Sequence, residues 1–395
     1  MPASYTHPVV AQVLSALEKA RPFLHILIGP RQVGKSTAAN DIVKRWRAPA
    51  HFAAADGPLP PGPEWVTAQW EVARSLSRTS DTGALLVLDE IQKVRGWSET
   101  IKALWDEEKR TGGTVNVILL GSSSLLMQQG LTESLAGRFL LYRCPHWGYP
   151  EMRDAFGFTL DQWLYFGGYP GAAALADDEE QWRRYVADGL VETALARDVL
   201  QMHTIAKPAL LRHLFGLAAA YPAQIFSYNK MLGQLQEAGN TTTLAHYLRL
   251  LETAFLATGL DLRRSSPMKR GSSPKLILWN NALISAVRNR TYAEVVEQDP
   301  TFRGRLVENA VGAHLLNHLG AGAVGYWRDG NDEVDFTVTT PRGMWGIEVK
   351  SGKPVSPRGM EKFLKQFPLA KPLIVGSGGL SLEDFFTTMP GELFA

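Results

Sequence analysis

Three stretches of the chain are short, nearly unbroken apolar runs: FLHILIG from Phe23 to Gly29, ALLVLDEI from Ala84 to Ile91, and VNVILLG from Val115 to Gly121. Runs of this length without apolar–polar alternation predict strands buried on both faces, as in a parallel sheet covered by helices. A further strand is predicted where ESLAGRF runs into LLYRC. From Trp147 to Ala220 the pattern changes to aromatic helical stretches, LDQWLYFGGYPGAAALA and EQWRRYVADGLVETALARDVL, broken by Gly-Pro turns, which predicts an all-helical lid or linker.

Periodicity is sharpest further on. SYNKMLGQLQEAGNTTTLAHYLRLLETAFLA predicts a helix, a turn at Gly239-Asn240 and a second helix. In that second helix Leu244, Tyr247, Leu248 and Leu251 recur at i, i+3, i+4 and i+7. Its opposite face carries Thr242, His246 and Arg249, and the following LDLRRSSPMKRGSSPKLIL reads as a wing with Arg263, Arg264, Lys269 and Arg270 near its tip. Such a face either meets a DNA major groove or packs between domains. In the last third a helix, RLVENAVGAHLLNHL, precedes two alternating strands, DEVDFTVTT and MWGIEVKS, joined by TPRG. Symmetric closure over Thr340 to Gly343 sets Asp335 opposite Glu348, with Lys350 on the same strand face as Glu348 and Ile347 and Val349 facing away.

Composition changes this picture in two places. The chain has 395 residues, enough for two or three domains, and its formal net charge of +2 restricts any basic surface to local patches. A lone cysteine, Cys144, excludes an intrachain disulfide. The N-terminus lacks the basic start and apolar stretch of a signal peptide, and no apolar run approaches the ~18 residues of a membrane span, so a cytoplasmic protein with no membrane partner is expected.

The candidate chemistry sits at the ends of the apolar runs. At the end of the first, Gly29, Pro30, Arg31, Gln32, Val33, Gly34, Lys35 and Ser36 match G-x-x-x-x-G-K-[ST], and Thr37 completes the candidate nucleotide-binding stretch. Glycines let the loop backbone turn its N–H groups toward phosphates, Lys35 supplies a charge for the β and γ phosphates, and Ser36 supplies a hydroxyl to Mg²⁺. ATP and Mg²⁺ are therefore the expected cofactors. Arg31 is either a phosphate contact or a solvent-facing loop residue. At the end of the second run Asp89 would hold Mg²⁺, and Glu90 stands where it can polarise the water attacking the γ-phosphate. Past the third run, Ser122 or Ser123 is either a γ-phosphate sensor or a helix cap. In the last third Asp335 and Glu348 could share a second Mg²⁺ or Mn²⁺, with Lys350 orienting water and Glu308 completing the set, or the strand could present a solvated polar face. His314 and His318 lack the HExxH form and read as packing or surface residues.

The order of phosphate loop, Asp-Glu strand, polar strand end and an Arg before the last strand resembles AAA+ ATPases, and by that resemblance Arg138 looks like an arginine finger able to reach a neighbouring subunit's nucleotide, the alternative being a surface Arg that caps a helix C-terminus. Asp335, Glu348 and Lys350 resemble the PD-(D/E)xK restriction-endonuclease-like fold. Together GPRQVGKST, LLVLDEI, GSSSLLM, LAGRF, FGGYP, ARDVL, VENAV and EVDF with IEVKSG resemble a prokaryotic family of ATPases that join an AAA+ domain to a C-terminal domain of unknown function with a nuclease-like fold. The resemblance implies an α/β chain: an AAA+ P-loop domain over 1–146, a helical lid or linker over 147–220, a winged helix over 221–273 and a nuclease-like domain over 274–395. Two stretches depart from that family: CPHWGYPEM, where it tends to have Pro-Leu-Ser-Phe, and LILWNNAL, where it tends to have an Asp that Asn280 and Asn281 cannot replace in charge. Expected activities are an Mg²⁺-dependent ATPase coupled to a C-terminal module that binds DNA or a partner, an ATP-gated metal-dependent DNA nuclease, or a nonhydrolytic switch. Expected partners are ATP, double-stranded DNA or a protein, and further copies of the chain in a homo-oligomer.

Overall fold

A computed structural model describes residues 5–395 except 20–22, 58, 122–133, 201–204, 236–239, 265–271, 289 and 351–357. The chain divides into two compact units, 3–145 and 146–395.

In the first unit five strands, β1 (Leu24–Ile28), β2 (Ala50–Ala54), β3 (Ala84–Asp89), β4 (Val115–Gly121) and β5 (Phe139–Arg143), pair in the order β2-β3-β4-β1-β5, all parallel. Every residue of β1 and β3 is buried, which is why the sequence shows unbroken apolar runs there. Helices α1 (Pro8–Glu18), α2 (Lys35–Arg45), α3 (Pro63–Ser77) and α4 (Trp97–Arg110) accompany the strands. Trp70 and Ala73 of α3 and Ile101, Leu104 and Trp105 of α4 join Ile26, Leu86, Leu88 and Leu119 of the sheet in one core. Because the strands are parallel, β1 and β3 end at the same sheet edge, and the loops that follow them are neighbours.

The second unit begins with α5 (Tyr149–Phe156) and α6 (Leu160–Phe166). The aromatic residues of this region pack inside the same unit: Trp163 lies 4.8 Å from Phe386, and Phe166 lies 5.1 Å from Trp182 and 5.6 Å from Tyr292, centroid to centroid. The helices expected as a separate lid are thus part of this unit's core. Next come α7 (Pro208–Ala220), α8 (Tyr228–Gln234), α9 (Thr241–Thr253) and an antiparallel pair, β6 (Ala257–Leu260) with β7 (Lys275–Leu278). In α9 Leu244, Tyr247, Leu248 and Leu251 are buried, while Thr242, His246 and Arg249 are exposed. The β6–β7 pairing runs across residue 273, so the hairpin extends to Leu278.

Helix α10 (Pro300–Leu319) is followed by β8 (Val324–Asp329), β9 (Asp332–Thr340), β10 (Gly343–Lys350), α11 (Arg358–Gln366), β11 (Lys371–Gly376) and α12 (Leu382–Thr387). The sheet order is β11-β10-β9-β8, parallel only between β10 and β11. The β9–β10 pairs run from Thr340 with Gly343 to Phe336 with Ile347, the register that the turn length implies. The hairpin of β6 and β7 touches this sheet through Leu262 beside Tyr326, with Arg263 N donating to Tyr326 O at 2.7 Å. Among the described residues no helix is long and apolar enough to cross a membrane.

Two histidines in the first unit are held well below their ordinary pKa by burial. His25 on β1 is 1% exposed and its Nδ1 lies 3.1 Å from Tyr142 Oη; burial lowers its pKa to about 4, and that of His7 also to about 4. The unfolded chain takes up these protons near pH 6.5 and the folded chain only near pH 4, so stability is lost as pH falls through that window. Melts between pH 7 and 4.5 should show a decline, and His25→Phe should remove a share of it worth about 1.4 kcal/mol per pH unit.

Candidate functional site

Strand β1 delivers Gly29 to the carboxyl edge of the first sheet against β5's continuation: Cys144 N donates to Ile28 O at 2.8 Å, and a Cβ on Gly29 would stand 2.0 Å from Cys144 O. Only glycine fits this approach. The loop then curls through left-handed backbone at Gln32 (φ 59°) and Gly34 (φ 91°), with Val33 buried beneath it. Gly34 caps α2 without a side-chain hydrogen bond, so the first-turn N–H groups of an 11-residue helix are left for a ligand. Lys35 is 8% exposed, its Nζ donating to Gly29 O at 2.9 Å and Pro30 O at 2.6 Å, which holds the ammonium inside the loop. Burial lowers its pKa despite the pull of Glu90 and Asp89, and Arg31 lies near enough for its charge to push the same way.

The loop reaches past β4 to the end of β3. Ser36 Oγ donates to Asp89 Oδ2 at 2.6 Å, and Asp89 Oδ1 accepts from Glu90 N at 2.8 Å. Burial raises the Asp89 pKa, and these two hydrogen bonds oppose it. Glu90 has left-handed backbone (φ 54°), which turns its side chain away from the strand direction. Its carboxylate accepts from Gln92 Nε2 at 2.9 Å and lies 3.3 Å from Lys93 Nζ, itself paired with Asp56. An anion-binding loop, an internal ammonium and a hydroxyl–carboxylate pair form a donor set that fits Mg²⁺-nucleotide: Ser36 and Asp89 would hold the ion, and the loop and Lys35 the phosphates. Ser122 and Ser123 lie outside the described residues.

Arg138 does not join this site. Its carbonyl accepts from Leu24 N at 2.8 Å, at the opposite edge of the sheet, roughly 15 Å away at ~3.3 Å per strand residue. Its guanidinium holds Asp106 of α4 with both arms, at 2.8 and 3.1 Å. The side chain is a third exposed.

The second candidate set is rearranged. Glu308 of α10 and Asp335 of β9 do converge, but with Glu333, and these three offer ligand atoms within 4.8 Å of one another. Glu348 is buried and pairs with Lys350 at 2.5 Å instead. At the centre of the three acids is a residue that the sequence reading did not single out: Lys275 of β7, wholly buried, 2.6 Å from Glu308, 3.1 Å from Glu333 and 3.6 Å from Asp335. Burial works against its charge, and the three acids outweigh that and raise its pKa. The second Mg²⁺ or Mn²⁺ expected here does not fit, because the ligand oxygens already face an ammonium. Glu333 had a readable signal, two residues before Asp335 and so on the same strand face; Lys275 had none. His314 is buried against Phe385 at 5.3 Å, and burial lowers its pKa to about 3.

Residues 22–152 match a family described as AAA domain, and residues 157–294 and 303–387 match two described as domains of unknown function, DUF8612 and DUF4143. An uncharacterized protein of Mycobacterium tuberculosis is 27% identical over 97% of this chain and 82% of its own length. One of Methanocaldococcus jannaschii is 24% identical over 68% of this chain and 60% of its own. Among solved structures, a Walker-type ATPase of Pyrococcus abyssi aligns with a TM-score of 0.53 and 14% identity over 72% of this chain and 96% of its own. The first unit has a P-loop NTPase fold, and an α/β sheet domain lies C-terminal to it.

Gly29→Ala tests the loop geometry. The added methyl has backbone in its place, so ATP affinity should fall by at least about tenfold in a titration with a fluorescent analogue, while a substitution at exposed Asn40 further along α2 should leave it within a factor of a few.

Proposed function

We propose that the chain is an Mg²⁺-dependent ATPase whose nucleotide state is coupled to a C-terminal module that binds DNA or a protein partner. The observation that supports it best is the Ser36–Asp89 contact with Lys35 inside the loop and Glu90 one residue beyond. Mg²⁺, which Ser36 and Asp89 would hold, would supply charge neutralisation for the phosphates. Lys35 leaves its loop carbonyls for the phosphate oxygens, and the α2 N-terminus adds its dipole. Glu90, held by Gln92 and Lys93, accepts a proton from the attacking water. Arg138, turned away from its own site, serves the nucleotide of a neighbouring copy in a homo-oligomer once it leaves Asp106.

The exposed Thr242, His246 and Arg249 of α9 support double-stranded DNA as the partner, with α9 read as the recognition helix of a winged helix and exposed Arg264 at the start of its wing, whose Lys269 and Arg270 lie outside the described residues. Arg263 is tied back to Gly322 O at 3.1 Å and contributes less.

Three measurements test this reading. Glu90→Gln should lower ATP turnover by about 10² to 10⁴ with binding retained; undiminished turnover sinks the Glu90 role. Arg138→Ala should cost up to about 10³, and mixing it with Glu90→Gln should restore activity, since each copy supplies what the other lacks. Double-stranded DNA should raise turnover in a salt-sensitive way that Arg249→Ala weakens, and a lack of response to any DNA leaves a protein as the partner.

A further inference from the structure

We propose that Lys275 is a built-in cation standing where a divalent metal would, so that the nuclease-like sheet is closed to Mg²⁺ and Mn²⁺ and does not cleave nucleic acid. This is independent of the ATPase reading. Three carboxylates from two elements, Glu308 on α10 and Glu333 and Asp335 on β9, converge as hard-cation ligands do. What they converge on is the Lys275 ammonium, at 2.6, 3.1 and 3.6 Å. Two of the other oxygens are engaged as well: Glu308 Oε2 accepts from Arg305 at 3.0 Å, and Asp335 Oδ2 accepts from Val349 N at 2.7 Å. Glu348, which a metal would recruit from β10, is held by Lys350.

A divalent ion bonded to these oxygens at about 2.0–2.6 Å would be nearly in contact with the ammonium, and because that ammonium is wholly buried while the acids keep only part of their exposure, the repulsion is screened far less than in open water. Lys275 has nowhere to go. It is 0% exposed, its backbone is bridged to Leu260 on one side and Ile225 on the other, and its ammonium lies 4.9 Å from the Phe336 ring centroid. Lys275 thereby fastens the β6–β7 hairpin to β9 and α10, a structural use of an arrangement that elsewhere serves a metal. Removing the lysine leaves three partly buried acids without the ammonium they share, a deficit that a divalent ion can then satisfy.

The test is Mn²⁺ binding by electron paramagnetic resonance without nucleotide, in full-length Asp89→Asn protein so that the phosphate loop contributes nothing. That protein should show no tight Mn²⁺ site. Adding Lys275→Met should create one, at least about tenfold tighter, that raises the melting temperature with Mn²⁺ and disappears on adding Glu333→Gln. A folded Lys275→Met variant that gains no Mn²⁺ overturns the proposal. Should that variant not fold, the Lys275-containing protein decides: a Mn²⁺ site lost on Asp335→Asn, or Mn²⁺-dependent DNA cleavage lost on Glu308→Gln, overturns it, and the absence of both upholds it.

Discussion

The 2.6 Å hydrogen bond from Ser36 to Asp89 is the constraint on which the N-terminal unit depends. In the order β2-β3-β4-β1-β5, strand β4 lies between β1, whose loop leads to Ser36 at the start of α2, and β3, which carries Asp89, so that loop must pass over the end of β4 to reach β3. It can do so because all five strands are parallel and end at one edge. The left-handed turns at Gln32 and Gly34 then aim α2 so that its first turn, the Lys35 ammonium and the Asp89 carboxylate face a common space. Burial makes both charges costly where they stand: Lys35 is driven toward its neutral form and so is Asp89. Each is a charge waiting for a counter-charge, which the phosphates and the metal of a nucleotide provide together.

What could be read in the sequence was local. The phosphate loop and the Asp89–Glu90 pair follow apolar runs whose burial on both faces leaves little freedom about where those runs end. The β9–β10 register was equally legible, because a short turn and strict alternation fix pairing to the residue. Long-range charge pairing was not legible. Nothing near Arg138 points to Asp106, and the Lys275 ammonium meets acids 33, 58 and 60 positions away in the chain. Glu348 and Lys350, two apart on one strand face, were read as partners around a metal; they are partners of each other. A period-two pattern gives the face but not which charges on it neutralise which.

The same limit explains the expected lid. Aromatic helices broken by Gly-Pro turns look like a separate body because their periodicity shows an apolar face without showing what covers it. Here the cover is internal: Trp163 meets Phe386, and Phe166 meets Tyr292, residues more than a hundred positions downstream. FGGYP is part of this closure, since a Cβ on Gly167 would stand 2.0 Å from Asn280 Oδ1 and one on Gly168 would stand 1.9 Å from Trp147 O.

The asparagines of LILWNNAL then differ in what an acid in their place would do. Asn281 donates through Nδ2 to Leu164 O at 2.7 Å and Leu306 O at 2.9 Å, and its Oδ1 accepts from Asn309 Nδ2 at 2.9 Å. It needs both halves of the amide, and a carboxylate there would set a buried oxygen against two carbonyls. Asn280 uses only its acceptor, taking Gly168 N and Ala282 N at 3.0 Å each, while its Nδ2 is buried with no hydrogen-bond partner among the described residues. An aspartate would keep both of those bonds and strengthen them through its charge. The position at which an acid suits this fold is therefore 280, and the neutral amide gives up charge-assisted bonding to the FGGYP backbone in exchange for a site that carries no buried charge.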